Sequence, residues 1–109
     1  QMANTFKLKT KASVGITTTS VYVVPSSTTT VVIGITASNV SGNNINVGIG
    51  ITRASADDIH LMKNVPIPQG SSFEFMSGNK VVLETTDTIT AKSDVASSLD
   101  VALTIMEIT

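Results

Sequence analysis

Twenty residues, Val65 to Glu84, constrain the fold more tightly than any others in this chain. Pro66 and Pro68 make an extended segment that lacks ladder donors, and Gln69-Gly70 supplies a turn. Phe73 and Phe75 then alternate with Ser72 and Glu74, Gly78-Asn79 turns again, and an apolar run from Val81 to Leu83 follows. This is antiparallel sheet. The alternation predicts both phenylalanines on the core face, with the prolines at a rim.

The rest of the chain carries the same period. Phe6, Leu8 and Thr10 alternate with Lys7, Lys9 and Lys11, which predicts an inward apolar face and an outward row of lysines about 7 Å apart. Val21 to Val24 reads as a strand closed by Pro25, which cannot donate to a ladder. Val31, Ile33, Ile35 and Ala37 are expected on one face, before a turn at Asn39 to Asn44. Ile45, Val47, Ile49 and Ile51 then oppose Asn46, Gly48, Gly50 and Thr52, the longest clean alternation in the chain. Glycines at 48 and 50 leave that second face nearly flat, either for close approach by another strand, loop or subunit or for a bulge in a twisted sheet.

Ser55 to Lys63 is ambiguous. Ser55 and Asp58 have the spacing of a helix cap, whereas Ile59 and Leu61 alternate with Asp58, His60 and Met62; the short length favours strand. Val81 with Leu83, Thr88 to Ala91, and Leu99, Val101, Leu103 and Ile105 complete the series. About eight to ten short strands separated by turn signals predict an all-β chain, a single antiparallel β-sandwich or jelly-roll-like barrel spanning residues 1–109. Gln1 before Met2 reads as a cloning remnant, with Met2 the natural start.

Composition narrows the function classes. With 109 residues the chain can bury roughly two thirds of its unfolded surface, and the absence of cysteine removes disulfides, thiol nucleophiles and cysteine-based zinc sites. A formal charge of -1, with 14% of residues charged, gives no long-range field toward nucleic acid or anionic membrane. The polar surface comes instead from Ser, Thr, Asn and Gly. Such a neutral surface suggests that part of it is covered by partners.

Chemistry is sparse. His60 is the single histidine, and with Asp58 two residues away on the same strand face it makes at most a surface pair or a weak two-ligand metal contact, no third ligand being indicated. Gly48-Ile49-Gly50 sits in a strand and precedes no helix, so it is no phosphate loop. No catalytic, cofactor or metal site is expected, and the chain reads as a non-enzyme. Sugar stacking wants exposed aromatics; with Phe6, Phe73 and Phe75 inward, Tyr22 is the one candidate platform. Lys7, Lys9 and Lys11 read as gatekeepers of an exposed edge or as a docking face for an acidic protein partner. Asn39-Val40-Ser41 has the form of a glycosylation sequon but lies in a turn with no secretion signal upstream.

Several segments also carry a likeness in their wording: Val21-Tyr22-Val23-Val24-Pro25, Thr28 to Ile35, Asn39 to Gly42, His60-Leu61-Met62-Lys63-Asn64-Val65-Pro66-Ile67-Pro68, Gly70 to Phe75, Gly78 to Glu84, and the tail Glu107-Ile108-Thr109. Together they resemble small virion structural proteins of tailed bacteriophages, of the marine and cyanobacterial type. The resemblance implies a structural part of the particle, made in the bacterial host cytoplasm: a capsid decoration or cement protein, or a neck, tail or tail-fibre accessory that binds a host receptor or glycan. It further implies a homo-oligomer, possible as a trimer, in contact with other virion proteins, and it brings no catalytic residues.

Overall fold

Period-two alternation is realised as β1 (Asn4–Val14), β2 (Thr19–Val23), β3 (Thr29–Asn39), β4 (Ile45–Thr52), β5 (Ile59–Ile67), β6 (Ser72–Phe75), β7 (Val81–Leu83), β8 (Thr88–Ser93) and β9 (Leu99–Ile108). These strands are those of a computed structural model that describes residues 4–53, 56–75 and 80–109. The Gly78-Asn79 turn, Ser55 of the alternative helix cap and the side chain of Phe75 lie outside the described residues.

Two antiparallel sheets form. Sheet A runs β1-β9-β3-β6, with β7 also paired to β3, and sheet B runs β2-β8-β4-β5. β6 lies against Ile35 to Ser38 and β7 against Thr30 to Val32, so two short strands share one edge position beside β3. Read as one interrupted strand, they complete the strand order of a jelly roll, the chain passing repeatedly from one sheet to the other.

The core lies between the sheets. From sheet B it takes Ile45, Val47, Ile49, Ile51, Ile89 and Ala91, and from sheet A it takes Val32, Ile35, Ala37, Leu99, Val101, Leu103 and Ile105. Burying each of the large aliphatic side chains contributes roughly 1.5–3 kcal/mol. The alternations of β4 and β9 are therefore placed as expected, as is the turn at Gln69-Gly70. There the Ser71 N–H donates to the Pro68 carbonyl at 3.1 Å, and Gly70 takes a φ of 71°, in the left-handed region that favours glycine.

Other faces depart from expectation, each for a local reason. In β3, Val32 pairs with Ile105 and Gly34 with Thr104, so Ile33 is an extra residue that reverses the alternation. Val32, Ile35 and Ala37 point inward as a result, and Val31 points out. In β5, register shifts put Met62 in the core while Ile59 is exposed. Phe73 stands opposite buried Ala37, on the inner side, yet remains 37% exposed because β6 is an edge strand.

The two glycines of β4 differ. A Cβ at Gly50 would meet the Ile59 carbonyl oxygen at 2.9 Å, a backbone clash imposed by the β5 bulge, whereas at Gly48 it would meet only the Met62 carbonyl oxygen at 3.6 Å. Gly50→Ala is accordingly expected to cost about 1–3 kcal/mol in urea unfolding, the range for overpacking. Gly48→Ala should be neutral or stabilising by up to about 1 kcal/mol, since strand glycine is unfavourable relative to alanine.

Candidate interaction surfaces

β1 turns its faces the opposite way from the sequence expectation. Its register on β9 sets Phe6 against Met106 and Leu8 against Thr104, whose side chains face outward, and sets Lys7 against Ile105 and Lys9 against Leu103, which face the core. Phe6 and Leu8 are consequently 70% and 66% exposed. The cause is Glu107. It continues the inward series of β9 two residues beyond Ile105 and is itself buried, so it demands a cation on the inner side.

Lys7 answers that demand, its Nζ lying 2.7 Å from Glu107 Oε1. The Tyr22 hydroxyl donates to Glu107 Oε2 at 2.5 Å and receives a hydrogen bond from Thr30 Oγ1 at 2.8 Å. Lys9 places its ammonium 5.9 Å from the centre of the Tyr22 ring. Four strands from both sheets are thereby joined at one point: β1, β2, β3 and β9. Tyr22 is buried here and offers no face to a sugar, correcting its expected role as a platform. Lys11 remains exposed.

The hydrogen bond from Lys7, reinforced by that from Tyr22, holds the Glu107 carboxyl below its ordinary value. Burial, followed by the hydrogen bond to Glu107, pushes the Tyr22 phenol up to about 12. The signs differ. The Glu107 contribution is present above the ordinary carboxylate range and is lost as pH falls through its lowered value; that of Tyr22 is present below about 10 and is lost as pH rises toward about 12. Because Tyr22 is the single tyrosine and there is no tryptophan, phenolate absorbance reports on it alone. Its titration midpoint is expected at about 12 in the folded protein, returning to about 10 in denaturant and falling only part of that way in Glu107→Gln, which removes the hydrogen bond and leaves the burial.

Outside this junction, sheet A presents a continuous apolar row. Phe6, Met106, Val31 and Val82 stand directly opposite one another across β1, β9, β3 and β7, with Leu8 beside Phe6 and with Val82 61% exposed. Farther along the same face, Thr10, Ala102 and Thr36 form the next small-residue row, over a hollow of about 210 Å³ bordered by Lys11, Ser38 and Asp100. The face has projections at one end and a depression at the other.

Sheet B carries a groove of about 390 Å³ on its own outer side. Gly48 and Gly50 form its floor, Thr90 and Lys92 of β8 one wall, and His60, Lys63 and Asn64 of β5 the other. Acidic groups stand at its ends and are occupied: Asp94 accepts from Asn46 N at 2.9 Å and from Asn46 Nδ2 at 3.1 Å, and Asp58 accepts from Arg53 N at 3.0 Å. The backbone donation from Asn46 holds the Asp94 carboxyl below its ordinary value. His60 and Asp58 both line the groove, and no group of three His, Cys, Asp or Glu side chains among the described residues is arranged to hold a metal ion. The sequon residue Asn39 is buried, its Nδ2 donating to the Asn43 and Ile67 carbonyls at 2.7 and 3.0 Å, so its amide is fully used by the fold.

No known protein family matches the chain, and no curated protein matches it. Among solved structures it is similar to a chain of the structure described as "Bacillus endospore appendages form a novel family of disulfide-linked pili", with a TM-score of 0.57 and 13% identity over 98% of this chain and 86% of that one. At that identity the likeness is one of fold.

Proposed function

We propose that this chain is a non-enzymatic structural subunit of a tailed-phage virion, a capsid decoration protein that assembles through the outer face of sheet A. The observation that carries the proposal is the apolar row Phe6, Met106, Val31 and Val82, continuous across four strands, its ends Phe6 and Val82 exposed and its middle residues Met106 and Val31 half-buried in the single chain. The row is part of a larger face, the outer side of sheet A. The ten residues of β9 run about 33 Å, and four strand positions at about 4.8 Å give a flat face on the order of 600 Å² before side chains add relief. A stable interface covers about 800 Å² per partner.

Copies of the chain can meet on this face. A two-fold axis sets the projecting Phe6 and Leu8 of one protomer toward the hollow at Thr10, Ala102 and Thr36 of the other, and the reverse, as an isologous contact requires. Other virion proteins would meet the same face around the capsid lattice, and Lys11, exposed at the border of the hollow, would reach an acidic partner. The Bacillus appendage chain belongs to disulfide-linked pili. With no cysteine, the present chain would rely on packing and on many equivalent contacts instead.

Quantitative mass spectrometry of purified particles tests the proposal. Copy numbers tracking the major capsid protein support decoration, and a few copies per particle support the neck, tail or fibre position instead. Absence from washed particles removes the virion reading.

A further inference from the structure

β1 is an edge strand held with little burial. From Asn4 to Ser13 it has no buried side chain, and its docking rests on the ladder to β9, on Lys7 at Glu107 and on Lys9 over the Tyr22 ring. The ladder is unbroken for eight pairs, Asn4 with Ile108 to Lys11 with Val101, and then shifts. At the shift Ala12 and Ser13 leave the register, and Ser13 takes a φ of 57°, a left-handed conformation that costs any residue but glycine. Directly afterwards the chain is pinned: Val14 is buried and accepts from Ser98 N at 3.1 Å, and the Gly15 carbonyl accepts from Ser93 N at 2.9 Å. An arm of eight residues is thus joined to a fixed anchor by a two-residue hinge under strain.

We propose that β1 is an exchangeable arm: Asn4 to Lys11 of one copy docks on β9 of a second copy, and the reverse, swinging about Ala12-Ser13. The occupant follows from the site beneath the arm. Without β1, the β9 edge presents unpaired backbone groups and the buried carboxylate of Glu107, for which Lys7 is the sole ion-pair partner among the described residues. A replacement strand must bring one inward cation to Glu107 and another, two residues on, to the Tyr22 ring; β1 of an identical chain carries both in register. Exchange keeps the ladder, the ion pair and the ring contact, gives up the exposed hydrogen bond from Ser13 N to Asp100 Oδ1, and lets Ser13 relax to extended backbone. Concentration then decides. The arm of the same chain acts at an effective concentration on the order of millimolar, so exchange prevails where copies are held side by side. It needs a second copy and nothing of a virion, and it links protomers through the β9 edge, leaving the outer face of sheet A free.

Sedimentation velocity of the full chain, incubated at about 1 mM and then diluted, tests this, because exchanged dimers separate only by reopening the arm whereas surface contacts dissociate at once. Ser13→Pro forbids the φ of 57° and should raise the dimer fraction. Ser13→Gly removes the strain and should lower the dimerisation constant at least about tenfold, both hinges counting; it keeps the test decisive against the unaltered chain if proline unfolds the protein. In the dimer, the β1 amides that face β9 should be as protected from hydrogen exchange as in the monomer. Phe6→Ser with Leu8→Ser should leave exchange unaltered, since the contacts of both residues within sheet A are the same in the two states. A Ser13→Pro protein that folds and stays monomeric, a dimer fraction unchanged by Ser13→Gly, a dimer with unprotected β1 amides, or a dimer lost in the Phe6 and Leu8 double variant would each overturn the exchange.

Discussion

Phe6→Ser with Leu8→Ser is expected to abolish association through sheet A while leaving the fold intact. Both side chains are largely solvent-exposed, so their removal takes little from the core; the main folding loss is the cross-strand contact of Phe6 with Met106, within about 1 kcal/mol. At the proposed interface the same residues would be buried. Truncating a buried aromatic anchor costs about 2 kcal/mol or more, which for the pair means an affinity loss on the order of a thousandfold if the effects add. Sedimentation velocity on the isolated protein and occupancy on particles measure the association, and thermal melts measure the fold. Loss of association with a melting midpoint lowered by no more than about 8 °C is the expected result. Unchanged association would move the docking surface elsewhere.

The second large effect is on stability. Leu103 lies at the middle of β9, between β1 and β3, without solvent exposure, and its neighbour Thr104 points out. Leu103→Ala removes buried methyl groups and opens a cavity between the sheets, at an expected cost of about 2–5 kcal/mol. That is a large fraction of the roughly 5–15 kcal/mol holding a typical domain together. For a chain near 100 residues each kcal/mol moves the midpoint by about 4–8 °C, so a fall of at least about 8 °C should appear in calorimetry. Thr104→Ala, one residue away on the solvent face, should stay within about 0.5 kcal/mol. Similar losses at the two positions would mean that β9 is not oriented as described.

How far the sequence foretold these features depends on what each pattern encodes. Ile45 to Ile51 and Leu99 to Ile105 were readable because a central strand with apolar residues at every second position has one face it can bury. β1 has the same period, but period alone does not say which side is inside, and an edge strand can hold lysine stems along the core margin with their ammonium groups at a buried acid. The signal that resolves it is Glu107, an acid on an otherwise apolar face, far away in sequence and meaningful only once β1 and β9 are paired. The bulge at Ile33 leaves no local mark, since Val31 to Ala37 alternates smoothly on paper. Gly48 and Gly50 were visible as a flat face, but not that they differ: at Gly50 the bulged β5 brings the Ile59 carbonyl close, while Gly48 has room for a side chain and lines an open groove. The walls of that groove come from β5 and β8, which only sheet topology brings together.

Cryo-electron microscopy at side-chain resolution of the phage particle proposed to carry this chain tests assembly through sheet A most directly. This jelly roll should appear as ordered density on the particle, with Phe6, Leu8, Met106 and Val82 buried against a neighbouring protomer or capsid protein and with the Gly48 groove facing solvent. A particle in which the chain is bound through another surface, with the apolar row of sheet A exposed, would contradict it.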